Sequence, residues 1–299
     1  MSWQQLHLLI PSEQTELFEN ALLGLGALSI TLQDAQDEPI FEPELGTTPL
    51  WSQTKLTALF DLEADLKKVV TELAEQFPDN PLVYELEQVA DQVWERAWLK
   101  YFKPLQFGER LWICPTGYEL PDPTAVNIML DPGLAFGTGT HPTTALCLEW
   151  LATHDLNNKT VIDYGCGSGI LAIAAMKLGA SECWAIDHDP QALQATSDNA
   201  QRNHISKRSL HLGHAADLPS ELQVDILMAN ILAQPLIDLA DVFAHYVKPN
   251  GHIILSGILT EQAELIKMAY TPFCSMLTLV QNGDWLRVDG KIAAKAKLT

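Results

Sequence analysis

The sequence has no closely spaced cysteines and no long apolar run. Its five cysteines are scattered and form no Cys-x-x-Cys pair, which argues against a disulfide framework and against a zinc site. No stretch approaches the length of a membrane-spanning helix. Residues 1–10 lack the basic lead and the apolar block of a secretion signal. These absences predict a cytoplasmic protein with no metal site and no membrane segment.

Basic residues are also scarce. The chain carries 18 Lys and Arg residues against 38 Asp and Glu residues, a formal net charge of −20. A surface of that sign repels phosphate backbones, so direct binding of DNA is not expected. The same surface would attract a basic protein, although acidity can also serve solubility alone.

The length of 299 residues allows two domains. In the first ninety residues, strand and helix patterns follow the order β-α-β-β-α-β, which indicates a small ferredoxin-like α+β domain. The predicted elements are residues 3–10, 12–23, 27–32, 55–60, 62–77 and 82–89. A helix over residues 91–101 follows and Pro104 ends it, so residues 91–104 are predicted to be a linker helix.

The pattern changes from residue 105 onward. Two strands are predicted at residues 110–114 and 126–130. Strands and helices then alternate, at residues 160–163, 168–178, 182–186, 190–203, 209–213, 224–229, 234–246, 251–256 and 260–269. This alternation is typical of a doubly wound, mostly parallel α/β sheet. Residues 276–280 and 285–288 flank Asn282-Gly283, which predicts a terminal hairpin and an antiparallel strand.

A glycine loop follows the strand that ends at Asp163. Gly165, Gly167 and Gly169 give the pattern G-x-G-x-G. The dinucleotide fingerprint has its third glycine three residues after the second, where this sequence has Ile170. The loop therefore fits a pyrophosphate poorly. It fits S-adenosylmethionine better, because this cofactor has an adenosine without phosphate and glycines let the backbone approach it closely. A tight turn without a ligand is the alternative.

Two acidic residues flank this loop. Asp187 ends the next apolar run, 18 residues after Gly169, where a carboxylate can accept hydrogen bonds from two ribose hydroxyls. It can also be a solvated strand end. Asp163 can hold an ammonium group, directly or through water, or it can cap the turn through its own backbone. The residues alone leave both alternatives open.

Residues 130–144 form a second unusual loop, with three glycines, four threonines and a single phenylalanine. Pro142 suits the first turn of a helix that continues to Leu151. Because free N–H groups at a helix start bind carboxylates, Thr143 and Thr144 are candidates to hold the methionine carboxylate. Phe136 is a candidate to cover the cofactor. A flexible surface loop is the alternative.

The strand at residues 224–229 leads into Asn230. Ligands in open α/β sheets lie beyond the carboxyl ends of the strands, so the Asn230 amide oxygen can accept a hydrogen bond from an amine. An Asn that only starts the next loop is the alternative. His141 precedes a proline at a helix start, which is more often a structural position, and it is not assigned to catalysis.

Together these motifs resemble class I S-adenosylmethionine-dependent methyltransferases, and most closely the ribosomal protein L11 methyltransferase family. The similarity covers essentially the whole chain. It is carried by LDPGLAFGTGTHPTT at 130–144, DYGCGSGIL at 163–171, DHDP at 187–190, NIL at 230–232 and GDW at 283–285. Tyr164 and His188 stand where other members often carry different residues.

The resemblance implies a seven-stranded methyltransferase sheet over residues 105–299 and a substrate-recognition domain over residues 1–90. It implies methyl transfer from S-adenosylmethionine to the α-amino group and to lysine side chains of the basic large-subunit ribosomal protein L11. By position, the cofactor contacts fall on Thr144, Gly165, Asp187 and Asn230, with Phe136, Gly137, Asp163 and Gly167 as further candidates. Asn230 is also the candidate that orients the target amine.

Three rival functions remain at this point. The first is an N-methyltransferase acting on another translation protein, an RNA base or a small molecule. Such enzymes often carry Asn-Pro-Pro-Tyr at the strand end, where this chain has Asn230-Ile231-Leu232-Ala233. The second is a nicotinamide oxidoreductase, which Ile170 disfavours. The third is a non-catalytic adaptor that binds S-adenosylmethionine.

Overall fold

The computed structural model describes residues 3–36, 38, 40, 47, 49–89, 103–131 and 136–294. The chain divides into two compact units, Met1–Ala97 and Trp98–Thr299. Most of the linker helix predicted over residues 91–104 lies outside the described residues. Within the described ranges, no helix has the length and apolar character needed to cross a membrane.

The first unit contains one antiparallel sheet and two helices. Its elements are β1 (Trp3–Pro11), α1 (Thr15–Gly24), β2 (Ser29–Asp34), β3 (Gln53–Asp61), α2 (Leu66–Gln76) and β4 (Val83–Val89). The strands lie in the order β2-β3-β1-β4, and each strand is antiparallel to its neighbours. The predicted β-α-β-β-α-β order is therefore confirmed.

The core of this unit follows from two periodicities. Alternate residues of β1 and β3 are buried, because side chains along a strand point to opposite faces. Residues of α1 and α2 spaced three or four apart cover that face. The buried set is Leu6, Leu8, Ile10, Phe18, Leu22, Leu56, Ala58, Phe60, Leu66, Val69 and Leu73. At the start of α2, Asp65 accepts a hydrogen bond of 3.1 Å from the backbone N–H of Lys68, which satisfies one free donor of the helix.

The second unit begins with a small sheet of β5 (Leu105–Phe107), β6 (Leu111–Cys114) and β7 (Val126–Met129). In this sheet, β6 lies between an antiparallel β5 and a parallel β7. The two strands predicted at residues 110–114 and 126–130 are therefore present, and they pair with each other outside the main sheet.

The main sheet has the order β10-β9-β8-β11-β12-β14-β13 in the described part of the chain. Its strands are β8 (Thr160–Tyr164), β9 (Glu182–Ile186), β10 (Leu210–Gly213), β11 (Val224–Asn230), β12 (Val247–Leu259), β13 (Cys274–Asn282) and β14 (Trp285–Ile292). The strands from β10 to β12 are parallel, and β14 is antiparallel to both of its neighbours. The predicted mostly parallel sheet with an antiparallel terminal hairpin strand is confirmed, and the last strand lies inside the sheet.

Helices cover both faces of this sheet. They are α3 (Pro142–Thr153), α4 (Ile170–Lys177), α5 (Pro190–Arg202), α6 (Ala233–Asp238), α7 (Ala240–Tyr246) and α8 (Ala263–Tyr270). One buried cluster contains Trp150 of α3, Ala172 of α4 and Ala200 of α5. The other contains Leu236 of α6 and Phe243 of α7, together with residues of α8. This division is the doubly wound arrangement.

The bounds of several elements differ from the sequence prediction, and three examples lie in the second unit. The helix predicted from residue 168 begins at Ile170, because Gly169 has a left-handed φ of +78° and belongs to the loop. The single helix predicted over residues 234–246 is two helices that meet at Leu239. The strand predicted over residues 251–256 extends over Val247–Leu259, although Asn250 has a left-handed φ of +63°.

Gly257 offers a test of close backbone packing near the end of β12. Its φ is +87°, and a Cβ there would overlap the backbone oxygen of Ile231. Gly117 has a similar φ of +91° with open space around it. We expect Gly117→Ala to cost about 1 kcal/mol of unfolding free energy, since only backbone strain is added. Gly257→Ala should cost roughly 2–4 kcal/mol, because overpacking is added to that strain.

Urea denaturation of both variants measures this difference. Equal costs for the two alanines would show that the contact with Ile231 relaxes without penalty.

Candidate active site

A cleft of about 810 Å³ opens beyond the carboxyl ends of the parallel strands. Loops that follow β8, β9, β10 and β11 contribute to its wall, together with Gly257 near the end of β12, the segment before α3 and the start of β14. The lining residues are Phe136, His141, Thr143, Tyr164, Gly165, Ile186, Asp187, His188, His214, Ala215, Ala216, Asn230, Ile231, Leu232, Pro235, Leu239, Gly257 and Trp285. This is the position where open α/β sheets bind ligands.

Gly165 brings the loop after β8 against the loop after β11. Its backbone N–H donates to the oxygen of Ile186 at 2.7 Å, and the N–H of Cys166 donates to the same oxygen at 3.0 Å. A Cβ on Gly165, which has a φ of +80°, would overlap the side chain of Ile231. The protein's own packing therefore requires this glycine, and the backbone at this point forms the floor of the cleft.

Gly167 brings the same loop against the segment before α3. A Cβ there would lie 2.6 Å from the backbone oxygen of Phe136. That oxygen accepts a hydrogen bond of 2.9 Å from the N–H of Ser168, and the Ser168 hydroxyl donates to the oxygen of Gly137. The candidate residues Phe136, Gly137 and Gly167 therefore lie together in the structure.

Asp187 connects two loops through its carboxylate. Its Oδ2 accepts a hydrogen bond of 2.9 Å from the N–H of Gly167, and its Oδ1 accepts one of 3.0 Å from the N–H of Asp189. The side chain of His188 lies 3.4 Å from the same Oδ1. Each carboxylate oxygen has two lone pairs, so the side chain keeps acceptor capacity toward the cleft that it lines.

Asp163 is buried beneath the glycine loop. Its Oδ2 accepts a hydrogen bond of 2.9 Å from the N–H of Ala172 in the first turn of α4, whereas its Oδ1 has no partner among the residues described. Burial raises the pKa of Asp163 to about 7; the Ala172 hydrogen bond opposes this shift and the charge of Asp187 adds to it. The side chain is not one of those that line the cleft. A structural role at the helix start is thus present, and binding of an ammonium group stays a prediction.

Asn230 ends β11 and lies beside α3. Its Nδ2 donates to the hydroxyl of the fully buried Thr144 at 3.2 Å. Its Oδ1 is buried, and no group in the described ranges donates to it. Because Nδ2 donates to Thr144, the amide is held in one orientation, and its acceptor atom Oδ1 is left without a donor. An unsatisfied buried acceptor of this kind is costly in a folded protein, which favours a missing donor from a ligand.

His141 caps α3. Its Nδ1 lies 2.7 Å from the Thr143 hydroxyl, and its ring packs edge-on against Phe136 and Trp285 at centroid distances of 5.4 and 4.9 Å. Burial lowers the pKa of His141. These contacts agree with the structural interpretation of this histidine. Phe136, the candidate cover of the cofactor, is 58% exposed, so it stands at the mouth of the cleft.

Sequence reasoning did not assign roles to Trp285 or His214, which both line the cleft. Trp285 lies there because β14 runs antiparallel to β12, so that the first residue of β14 pairs with Leu259 at the end of β12. The Asn-Gly hairpin was the sequence signal for Trp285. A strand that runs antiparallel to the parallel strands begins at the edge of the sheet where those strands end. His214 directly follows β10, so its signal in the sequence was its position beyond the carboxyl end of a parallel strand.

The sheet order, the antiparallel strand between β12 and β13 and the cleft at the carboxyl edge define a class I methyltransferase fold. The structure of a ribosomal protein L11 methylase from Lactobacillus delbrueckii subsp. bulgaricus aligns with a TM-score of 0.58 and 31% identity, over 64% of this chain and all of that one.

The family model described as "Ribosomal protein L11 methyltransferase (PrmA)" matches residues 2–293. Relatives named ribosomal protein L11 methyltransferase share 51% identity in Pseudomonas paraeruginosa and 52% in Actinobacillus pleuropneumoniae, each over 97% of this chain and 99% of the relative. The chain belongs to the ribosomal protein L11 methyltransferase family. The nicotinamide oxidoreductase alternative has no support from these matches.

The first expectation for the site concerns Asp187. We expect Asp187→Ala to weaken binding of S-adenosylmethionine about 100-fold, because two hydrogen bonds to a charged acceptor are lost. Isothermal titration calorimetry measures the affinity. Asp198→Ala, which removes an exposed carboxylate on α5 that accepts from Gln194, is the control. Unchanged affinity in Asp187→Ala would remove this residue from the cofactor site.

The second expectation concerns the buried carboxyl of Asp163. Its pKa is about 7 in the folded protein, well above the ordinary value of 3.8 for an aspartate side chain. The folded state therefore binds more protons than the unfolded state between these values, and the contribution of Asp163 to stability falls as the pH rises through that window. Asp163→Asn removes this dependence, so the variant should gain stability relative to the unsubstituted protein as the pH rises from 4 to 8.

Urea unfolding at pH 5 and pH 8 measures the difference. Asp225→Asn is the control for which no change is expected between pH 5 and pH 8. Burial raises the pKa of Asp225, but hydrogen bonds from Thr160 and Lys248 outweigh burial and lower the pKa below its ordinary value of 3.8, so this carboxyl titrates below the window measured. A pH-independent difference for Asp163→Asn would show that Asp163 is charged when folded.

Proposed function

We propose that this protein transfers methyl groups from S-adenosylmethionine to amines of large-subunit ribosomal protein L11, namely lysine side chains and the α-amino group. The observation that carries the proposal is the buried, unpartnered Oδ1 of Asn230, which stands at the same strand-end cleft as the carboxylate of Asp187. Membership of the ribosomal protein L11 methyltransferase family supports the substrate.

The cleft fits S-adenosylmethionine in several respects. Its volume of about 810 Å³ is within the range of sites for ligands of this size. The Asp187 carboxylate would accept from the ribose hydroxyls, and the backbone at Gly165 and Gly167 would lie against the adenosyl part. Thr143, which lines the cleft at the start of α3, would hold the carboxylate of the amino-acid tail. The side chain of Thr144 is fully buried and accepts from Asn230, so it would act through that contact. When bound, the cofactor supplies a methyl group on a positively charged sulfur.

The target amine must arrive without its proton. A lysine amine has a reference pKa of about 10.4, so it is an ammonium ion at neutral pH. The cleft that Asn230 lines also has apolar residues in its wall, among them Ile231, Leu232, Leu239 and Trp285. Entry into these surroundings disfavours the charged form and lowers the pKa of the amine.

Asn230 then orients the neutral amine. Its Oδ1 accepts one amine N–H, and the Nδ2 contact with Thr144 prevents the amide from rotating freely. This bond directs the amine lone pair, and alignment of the reacting atoms is the main contribution that an enzyme makes to such a transfer. The amide of Asn230 is not a base of useful strength. The proton that the ammonium ion must lose before the transfer therefore passes to water.

The first unit is suited to attract a basic protein. Residues 1–97 contain 18 acidic residues against four basic residues. Such a concentration of one charge steers an oppositely charged partner toward the surface before specific contacts form. We therefore assign recognition of the ribosomal protein to residues 1–90 and methyl transfer to residues 105–299.

Methyl transfer is tested with tritiated S-adenosylmethionine and the ribosomal proteins of a bacterium. We expect label on the amines of protein L11. Asn230→Ala should slow the transfer about 100-fold, because the amine loses its orienting contact. Gln234→Ala, which removes an exposed amide that donates to Asp238 one turn further along α6, is the control. Label on RNA or on another translation protein would support the rival N-methyltransferases, and absence of any label would support the adaptor.

Deletion of residues 1–90 separates recognition from chemistry. We expect the truncated protein to bind S-adenosylmethionine with normal affinity and to leave ribosomal protein L11 unlabelled. Calorimetry on the same preparation shows whether the remaining unit is folded. Full activity of the truncated protein would contradict the recognition role.

A further inference from the structure

The histidine that follows β10 has one ring nitrogen in a defined hydrogen bond. His214 Nδ1 lies 2.8 Å from the backbone oxygen of Asp187. A carbonyl oxygen only accepts, so Nδ1 must carry the proton and donate. In the neutral imidazole the other nitrogen, Nε2, then has no proton and is an acceptor. The orientation of this side chain therefore fixes the tautomer of the ring.

The backbone around His214 is also held in place. Its N–H donates to Asp217 Oδ2 at 2.8 Å, and the N–H of Asp217 donates to the backbone oxygen of His214 at 2.9 Å, across the 3₁₀ turn Ala215–Asp217. The N–H of Asp187 donates to the oxygen of Gly213 at 3.2 Å, which ties the end of β9 to the end of β10. Both ends of the Nδ1 contact are thus anchored, and the ring lines the cleft.

The surroundings of His214 suit a flat aromatic ring. Ala215, Ala216 and Ile186 line the same part of the cleft and present small or apolar side chains. This step rests on the proposed function, in which Asp187 binds the two ribose hydroxyls. The base of a nucleoside projects from the other side of the ribose, so it extends along the cleft past Asp187. The hydrogen bond from His214 Nδ1 to the backbone oxygen of Asp187 places the polar side chain of His214 beside this part of the cleft.

We propose that His214 selects the purine of the cofactor by accepting a hydrogen bond at Nε2 from the 6-amino group of adenine. A 6-oxo purine presents a carbonyl oxygen at that position, so two acceptors would face each other. The site would therefore discriminate against S-inosyl and S-guanosyl compounds. His188 lines the cleft as well, but its side chain is fully exposed and contacts a carboxylate, so its ring nitrogens are not restricted in this way.

The test compares two ligands on the full-length protein by isothermal titration calorimetry. The ligands are S-adenosylhomocysteine and S-inosylhomocysteine, which differ only at position 6 of the purine and, with it, at the N1 proton. We expect the unsubstituted protein to prefer the adenosyl compound roughly tenfold or more, since the mismatch leaves a polar pair unsatisfied. His214→Ala should bind S-adenosylhomocysteine more weakly and reduce the preference to about threefold or less.

Two further variants sharpen the comparison. His214→Gln carries an amide that can turn its oxygen or its nitrogen toward the base, so it should bind both ligands with similar affinity. His188→Ala should keep the full preference. Thermal unfolding confirms that each variant is folded, and the two His214 variants provide independent readings if one of them is unstable.

Two results would overturn the inference: equal affinity of the unsubstituted protein for both ligands, or a full preference in His214→Ala. If S-adenosylhomocysteine binds and Asp187→Ala abolishes that binding while the His214 variants keep the preference, only the role of His214 is wrong. If Asp187→Ala binds normally, the proposed placement of the ribose is wrong and the inference falls with it.

Discussion

Backbone segments at the carboxyl edge of the sheet approach each other so closely that no side chain fits between them. Gly165 meets the side chain of Ile231, Gly167 meets the backbone of Phe136, and Gly257 meets the backbone of Ile231. These approaches bring the loops after β8 and β11, the end of β12 and the segment before α3 around one cleft. The hydrogen bond from Gly167 to Asp187 adds the loop after β9. The remaining features of the site depend on this convergence.

The convergence also explains why polar atoms are left without partners. Asn230 Oδ1 and Asp163 Oδ1 are buried and accept no hydrogen bond from the described residues. Such atoms lower the stability of a folded chain by about 1–3 kcal/mol each when nothing pairs with them. In Asn230 the other end of the amide is held by Thr144, so the free oxygen has a fixed direction. A site that is preorganised in this manner loses less conformational freedom when its ligand arrives.

Much of the fold could be predicted from the sequence, because periodicity and turn residues are local signals. The G-x-G-x-G loop, the alternation after residue 160 and the Asn-Gly hairpin led to the doubly wound sheet with its antiparallel strand. Helix and strand ends were less predictable. The start of α4 depends on the left-handed φ of Gly169, and a Cβ at that position would meet Thr196 of α5, which only the folded chain brings near.

The candidate site shows the same limit. Asp187, Gly165 and Asn230 could be selected because each follows a strand, and Phe136 because of its unusual loop. The tautomer of His214 depends on a contact 27 residues away in the chain, and the place of Trp285 depends on the direction of β14. The sequence also did not show which part of the protein packs against each glycine. A glycine pattern indicates that something approaches the backbone closely, but the approaching residue is known only from the folded structure.

The position of β14 has a consequence for how the protein is made. This strand follows every other strand of the main sheet in the chain, yet it pairs with β12 on one side and β13 on the other. Until residues 285–292 have been synthesised, β12 is an edge strand with unpaired backbone groups, and β13 has no strand with which to pair. The main sheet can therefore be completed only after the last of its strands has been synthesised, and the part of the cleft wall that Trp285 forms is added at the same step.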